Sequence, residues 1–218
     1  MKLIETAHGS YVAGRRARLL AERLAEVVPA HATVLDVGCG DGEIAWLLNQ
    51  RRPDLQVTGV DVLVRETTRV SVTHFDGAAL PFPDDSFEVV TFVDVLHHCE
   101  RPLELLAEAR RVARQAIVIK DHALQGIAAE RTLRFMDGVG NRRYGVALPY
   151  NYLRPDQWTK AFDELGLTVQ RHIDRLGLYP WPFSLAFDRR LHFLVRLGVP
   201  TKANVRDAQE VLEGAGIS

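Results

Sequence analysis

Apolar residues along the chain follow two alternating patterns, one typical of helices and one typical of strands. From Tyr11 to Val28 they fall on one helical face with Arg and Glu between them, which predicts an amphipathic helix ending near Pro29. We predict strands at Thr33–Val37, Gln56–Val60, Val70–His74, Phe87–Val95, Ala116–Ile119, Leu167–Asp174 and Leu191–Leu197. We predict further helices at Gly42–Gln50, Pro102–Ala113 and Pro155–Leu165. This alternation of strands and helices predicts an α/β fold with a doubly wound, mostly parallel sheet.

Length and composition narrow the class of protein. The chain has 218 residues, 47% hydrophobic and 25% charged, which is typical of a globular protein, and we predict a single domain over 1–218. No run approaches the roughly 20 apolar residues of a membrane span. The formal net charge of -1 weighs against a nucleic-acid partner. Cys39 and Cys99 are too few for a disulfide framework, so we expect a cytoplasmic protein.

The candidate ligand-binding residues are concentrated where the first predicted strand ends. A short apolar segment runs into Gly38, Gly40 and Gly42, and a helical pattern begins at once. The second strand ends in an acid, Asp61. A strand, a glycine turn, a helix and a second strand ending in an acid form the layout of a nucleotide-type cofactor site. The glycine spacing differs from G-x-G-x-x-G, and Asp36 would repel a pyrophosphate, so an NAD-dependent dehydrogenase is disfavoured.

Two segments resemble a known family. The segment VLDVGCGDG (34–42) resembles the first motif of class I S-adenosylmethionine-dependent methyltransferases, and LPFPDDSF (80–87) resembles a later segment of the same family. Motifs in matching order cover about residues 10–175. The resemblance implies S-adenosylmethionine as the cofactor. It also implies a Rossmann-like seven-stranded sheet of order 3-2-1-4-5-7-6, mostly parallel with an antiparallel last strand.

The layout and the resemblance together predict the cofactor-binding residues. We expect Asp61 to accept the two ribose hydroxyls, with Val62 against the adenine, although a turn or helix-capping aspartate is the alternative. In the resembling family an aspartate at the position of Asp76 accepts from the adenine amine. Its alternative is an Asx-turn before Gly77. The full predicted set is Asp36, Gly38, Cys39, Gly40, Gly42, Asp61, Val62, Asp76, Gly77, Ala78, Phe92 and Val93.

A pair of histidines follows the fourth predicted strand. His97 and His98 come where the acceptor of the methyl group is expected, so one of them is a candidate general base and the pair is the predicted catalytic set. The alternative is a packing and capping role, which we weigh more heavily because many methyltransferases need only to align the reacting groups.

The connection Lys120–Tyr152 is much longer than the usual loop of about 4–6 residues and combines an apolar helix-like piece with Gly, Arg and Tyr. We predict that this segment, at about 120–152, is a lid over the substrate. A solvated connection packed on the sheet is an equal alternative. The predicted substrate-binding residues are His122, Arg134, Tyr144, Tyr150 and Tyr152.

Absent motifs narrow the substrate. The end of strand four reads Phe92-Val93-Asp94-Val95, without the Pro-Pro signature of nucleobase amine methylation. No Cys or His spacing typical of a metal site is visible, so we predict no metal. We predict an enzyme (EC 2.1.1.-) that methylates an O, N or C atom of a small organic molecule. The alternatives are a protein or RNA methyltransferase and a non-catalytic cofactor-binding subunit or sensor.

Overall fold

Seven strands form one sheet in a computed structural model that describes residues 2–141, 149–179, 181, 184–188 and 190–200. The strands are β1 (Thr33–Val37), β2 (Gln56–Asp61), β3 (Val72–His74), β4 (Phe87–Val93), β5 (Ala113–His122), β6 (Thr168–Ile173) and β7 (His192–Gly198). Their order is β3-β2-β1-β4-β5-β7-β6. Strand β7 runs antiparallel to β5 and β6, and the other described pairs are parallel. The predicted fold class and strand order are confirmed.

The helices cover both faces of this sheet. They are α1 (Lys2–Val27), α2 (Glu43–Arg51), α3 (Pro102–Val112), α4 (Ala129–Asn141), α5 (Pro155–Glu164) and α6 (Ser184–Phe187), with a short 3-10 helix at Leu96–His98. Proline starts both α3 and α5, where its missing N–H is not needed. Leu20, Leu24 and Leu48 of α1 and α2 pack in one core cluster. Helices α3 and α5 contribute to the core on the other face.

The structure corrects several predicted bounds. Helix α1 begins at Lys2 and not at Tyr11, and β4 ends at Val93 because Asp94 takes a positive φ of 58°. Strand β5 covers Ala113–His122 and not Ala116–Ile119, so its last three residues are polar. These residues stay in the sheet because they are buried among charged and polar partners. From the sequence pattern, these polar residues are predicted to begin a loop.

Strand register brings the candidate site to one edge of the sheet. Val37, at the end of β1, lies opposite Val60 of β2 and Phe92 of β4. Val93 lies opposite Lys120 of β5. The carboxyl ends of β1, β2, β4 and β5 therefore meet at the edge where ligands bind in open α/β sheets. Within the described residues, no helix has the length and apolar character needed to cross a bilayer.

Candidate functional site

The glycine turn after β1 has left-handed backbone at each of its three glycines. Gly38, Gly40 and Gly42 have φ of 70°, 62° and 77°. A Cβ on Gly38 would lie 2.6 Å from Val95 Cγ2, and one on Gly42 would lie 2.7 Å from Val70 Cγ2. A Cβ on Gly40 would meet no heavy atom within 4 Å. Two of the glycines therefore allow close packing, whereas Gly40 faces open space beside the turn.

Asp61 ends β2 directly against this turn and is 9% exposed. Its Oδ2 accepts the Gly40 N–H at 2.7 Å, and its Oδ1 accepts the Leu63 N–H at 2.8 Å. The exposed side chain of Val62 follows, and a Cβ on Gly77 would lie 3.2 Å from its Cγ1. The structure thus brings Gly40, Asp61, Val62 and Gly77 together. An open backbone turn with a carboxylate and an apolar surface fits a cofactor that carries a ribose and an adenine.

Three other residues of the predicted cofactor set, Asp76, Cys39 and Phe92, have side chains that contact the protein itself. Asp76 Oδ1 accepts the N–H groups of Ala78 and Ala79, each at 2.9 Å, which is the turn geometry of the alternative interpretation. These hydrogen bonds lower the pKa of Asp76. The Cys39 side chain packs against Gly59 of β2, since a Cβ there would lie 2.3 Å from its Sγ. The Phe92 side chain is fully buried in the core, so only its backbone is available to a ligand.

Asp36 lies beneath the turn and is a buried carboxyl. Its side chain accepts the Thr91 hydroxyl at 2.8 Å. Burial raises the pKa of Asp36 to about 7, although the Thr91 hydrogen bond lowers it and nearby Asp61 raises it further. Asp36 is therefore partly protonated near neutral pH, which its sequence position did not reveal.

This pKa makes stability depend on pH. The folded-state pKa of about 7 lies above the ordinary value of 3.8, so the stabilisation is present below that ordinary value and is lost as pH rises towards 7. At about 1.4 kcal/mol per pKa unit, the loss reaches at most ~4 kcal/mol. We expect Asp36→Asn to be more stable than the wild type at pH 8 and not at low pH. Urea unfolding at the two pH values measures this, and an equal difference at both would contradict it.

His97 and His98 lie on the 3-10 helix that follows β4. His97 is 1% exposed, with Nδ1 2.5 Å from Asp121 Oδ1 and Nε2 3.3 Å from Asp137 Oδ2. Burial lowers the pKa of His97, but the two carboxylates outweigh it and raise the pKa to about 10. Burial and the charge of His97 lower the pKa of His98 to about 4. Near neutral pH, His97 is therefore protonated and His98 is a neutral imidazole.

A second group of charged residues, around Asp94, lies beside the histidines. The sequence did not predict this group. Arg16 of α1 and Lys120 of β5 both donate to Asp94, which follows β4. Lys120 Nζ also lies 3.3 Å from His192 Nδ1 of β7. Burial lowers the pKa of Lys120, against the attraction of Asp94. The sequence signals were a polar Lys-Asp-His ending to an apolar strand and an acid ending the run of β4.

The predicted substrate residues divide into two groups. His122 is buried beside His97, and its Nδ1 lies 3.3 Å from His97 Nδ1. The ring of Tyr152 stacks on the ring of His97 at a distance of 5.6 Å. Arg134 lies over the ring of Tyr150 at 4.8 Å and pairs with Glu130. Tyr144 lies outside the described residues, as do Arg142 and Arg143. The described part of the predicted lid therefore contacts His97 through Asp137 and Tyr152.

Comparisons with known proteins agree with this geometry. A family model described as a methyltransferase domain matches residues 10–172. The chain is 33% identical over 110 residues, 44% of its length, to 27-O-demethylrifamycin SV methyltransferase of Amycolatopsis mediterranei, of which it spans only 40%. It is 32% identical over 174 residues to demethylmenaquinone methyltransferase of Thermotoga maritima, covering 69% of this chain and 75% of that protein.

A solved structure shares the fold. Geranyl diphosphate C-methyltransferase of Streptomyces coelicolor, in complex with Mg²⁺, geranyl-S-thiolodiphosphate and S-adenosyl-L-homocysteine, superposes with a TM-score of 0.62 at 13% identity. The match covers 82% of this chain and 74% of that one. The chain therefore belongs to the class I S-adenosylmethionine-dependent methyltransferases, with S-adenosylmethionine as its cofactor.

Proposed function

We propose that the chain transfers a methyl group from S-adenosylmethionine to an O, N or C atom of a small organic acceptor. The observation that supports the proposal is that two candidate binding regions lie at the same edge of the sheet. The open turn at Gly40 and the carboxylate of Asp61 lie at the ends of β1 and β2, and a buried polar cluster lies at the ends of β4 and β5. In this proposal the cofactor site adjoins a region whose polar groups hold the acceptor.

Each region has its own task in this proposal. Bound S-adenosylmethionine supplies an electrophilic methyl group on a sulfonium. Asp61 accepts the ribose hydroxyls, and the backbone at Gly40 allows the close approach of the ligand. His98 is the uncharged imidazole of the pair, so it, rather than His97, is able to take a proton from an acceptor that must lose one. The main contribution of the chain is alignment of the reacting groups.

Small acceptors are favoured by the relatives and by charge. The two curated relatives described above are named for a rifamycin and a menaquinone precursor, which are small molecules. The formal net charge is -1, which gives no general attraction for a nucleic-acid backbone. Both cysteines are free thiols, which fits the reducing conditions of the cytoplasm.

The experiment compares acceptor pools. The full chain is incubated with methyl-labelled S-adenosylmethionine and with metabolite, RNA or protein fractions, and Asp61→Ala serves as the control. Label that enters a product of the metabolite fraction, found by its mass shift, supports the proposal. Label confined to RNA or protein would replace it with a macromolecular acceptor. Cofactor binding without transfer to any fraction would indicate a binding subunit or sensor.

We also propose that 1–218 is one methyltransferase domain and that the segment 120–152 includes the cap of the acceptor site. Helix α4 supports this, since Ala129 and Leu133 form a separate small core with Tyr152 and Leu191. We expect amide exchange in α4 to slow when S-adenosylhomocysteine and the acceptor found in the screen are both present, and to change little with S-adenosylhomocysteine alone. Equal protection by S-adenosylhomocysteine alone would reassign the segment to cofactor binding.

A further inference from the structure

We propose that His97, His98 and Asp137 bind one divalent transition-metal ion, a site that goes beyond the proposed function; with the ion bound, His98 is a ligand and no longer the base described above. Each of the three residues offers one ligand atom, and these atoms all lie within 4.8 Å of one another. His97 Nε2 lies 3.3 Å from Asp137 Oδ2. For bonds of about 2.0–2.2 Å, two ligand atoms on a tetrahedral ion are separated by about 3.3–3.6 Å, so these two atoms already have a suitable spacing.

Hydrogen-bond partners hold the proposed ligands in place, as residues around the ligands of metal sites commonly do. His97 Nδ1 is hydrogen-bonded to Asp121 Oδ1 at 2.5 Å. Asp121 is itself fixed by the N–H groups of Leu96 at 2.9 Å and His122 at 2.7 Å. The Tyr152 hydroxyl donates to Asp137 in the same way. A carboxylate that holds one nitrogen of a histidine, so that the other faces a metal, is a common arrangement of metal sites.

The second nitrogen of His97 faces the carboxylate of Asp137. His97 is 1% exposed, and its Nε2 lies 3.3 Å from Asp137 Oδ2 without a well-aligned hydrogen bond to a described residue. A buried polar atom left without a hydrogen bond is uncommon and requires an explanation. A cation between His97 Nε2 and Asp137 Oδ2 would bind both atoms.

Two other groups of residues could be considered, and both are less suitable. Asp94, His122 and His192 converge, but the ammonium of Lys120 donates to Asp94 and lies 3.3 Å from His192 Nδ1, so it would repel a cation there. In the group of His97, Asp121 and His122, the Asp121 Oδ1 already accepts from His97 and from the His122 N–H. In the set that includes Asp137, the Oδ2 of Asp137 accepts one hydrogen bond, from the neutral Tyr152 hydroxyl, so a second lone pair of this oxygen is available to an ion.

The ligand types indicate the class of ion. Two imidazoles and one carboxylate suit Zn²⁺, Fe²⁺ or Co²⁺ and are poor ligands for Mg²⁺ or Ca²⁺, which prefer oxygen. Three protein ligands leave a coordination position open. Asp137 lies on α4, the helix that the proposed cap contains, so an acceptor oxygen is a suitable occupant of that position.

The test measures metal binding and needs no acceptor. The tag-free full chain is stripped with a chelator and titrated with Co²⁺ and Zn²⁺, followed by visible absorption of Co²⁺ and by calorimetry. We expect one equivalent per chain, with His98→Gln and Asp137→Asn each weakening the affinity more than tenfold. His192→Gln is the matched control because it removes a ligand of the rejected group, and it should leave the affinity within about threefold.

A second variant covers the case in which Asp137→Asn fails to fold. Tyr152→Phe keeps every ligand and removes only the hydroxyl that holds Asp137, so we expect a roughly ten- to hundredfold loss of affinity. The proposal is overturned if the stripped wild type binds no equivalent of Co²⁺ or Zn²⁺. It is also overturned if His98→Gln and Tyr152→Phe bind as the wild type does, or if His192→Gln loses as much affinity as His98→Gln.

Discussion

Gly40→Val should abolish binding of S-adenosylmethionine and S-adenosylhomocysteine while the sheet stays folded. The Cβ position of Gly40 faces open space, so the added side chain would meet no described atom of the protein but would fill the space that a ligand needs. Left-handed backbone at φ 62° adds strain of about 1–2 kcal/mol for a branched residue. Calorimetry measures binding, and circular dichroism with thermal unfolding measures the fold.

A matched control separates strain from loss of the site. Gly166 has φ 64° and nothing within 4 Å of a Cβ, and it follows α5 away from the glycine turn. Gly166→Val should therefore cost similar stability and leave cofactor affinity within about twofold. A Gly40→Val chain that binds S-adenosylhomocysteine as the wild type does would show that the turn does not contact the ligand.

Asp61→Ala should weaken binding of the same two ligands by at least tenfold. Hydrogen bonds to a charged group contribute about 1.5–3 kcal/mol each, and the predicted contact with the ribose has two. The substitution also removes the acceptor of the Gly40 and Leu63 N–H groups, so part of the loss arises from a looser turn. Calorimetry with S-adenosylhomocysteine gives the affinity directly.

Asp61→Asn distinguishes the two contributions. The amide keeps one oxygen for a backbone N–H but loses the negative charge and one acceptor. We expect an affinity between those of the wild type and Asp61→Ala, with thermal stability close to that of the wild type. Unchanged affinity in Asp61→Ala would remove Asp61 from the cofactor site and leave it as a residue that only supports the turn.

The sequence correctly predicted the local structure around the candidate site, which depends on short stretches of chain. The glycine turn follows β1 directly, and Asp61 is the last residue of the adjacent β2. Strand periodicity and turn glycines act over a few residues, so they are visible without tertiary contacts. The family resemblance added the strand order, which the spacing of elements did not show, and the structure has that order.

The prediction that no metal binds was based on spacing along the chain. The proposed ligand set joins two adjacent histidines after β4 to Asp137 on α4, and no local pattern links these segments. The roles of His97 and His98 were likewise undetermined, because a histidine pair gives no indication of which carboxylates surround it. Asp121 and Asp137 raise the pKa of His97, whereas burial and the neighbouring charge of His97 lower the pKa of His98.

The sequence by itself determined the alternation of elements and the position of the glycine turn, because each depends on neighbours in the chain. Only the tertiary structure decided how β5 ends and which charges meet there. The buried Lys120 remains in the strand because its ammonium donates to Asp94, the residue directly after β4, to which Arg16 of α1 also donates. A buried charge requires a partner, and the partners here come from distant segments that only folding brings together.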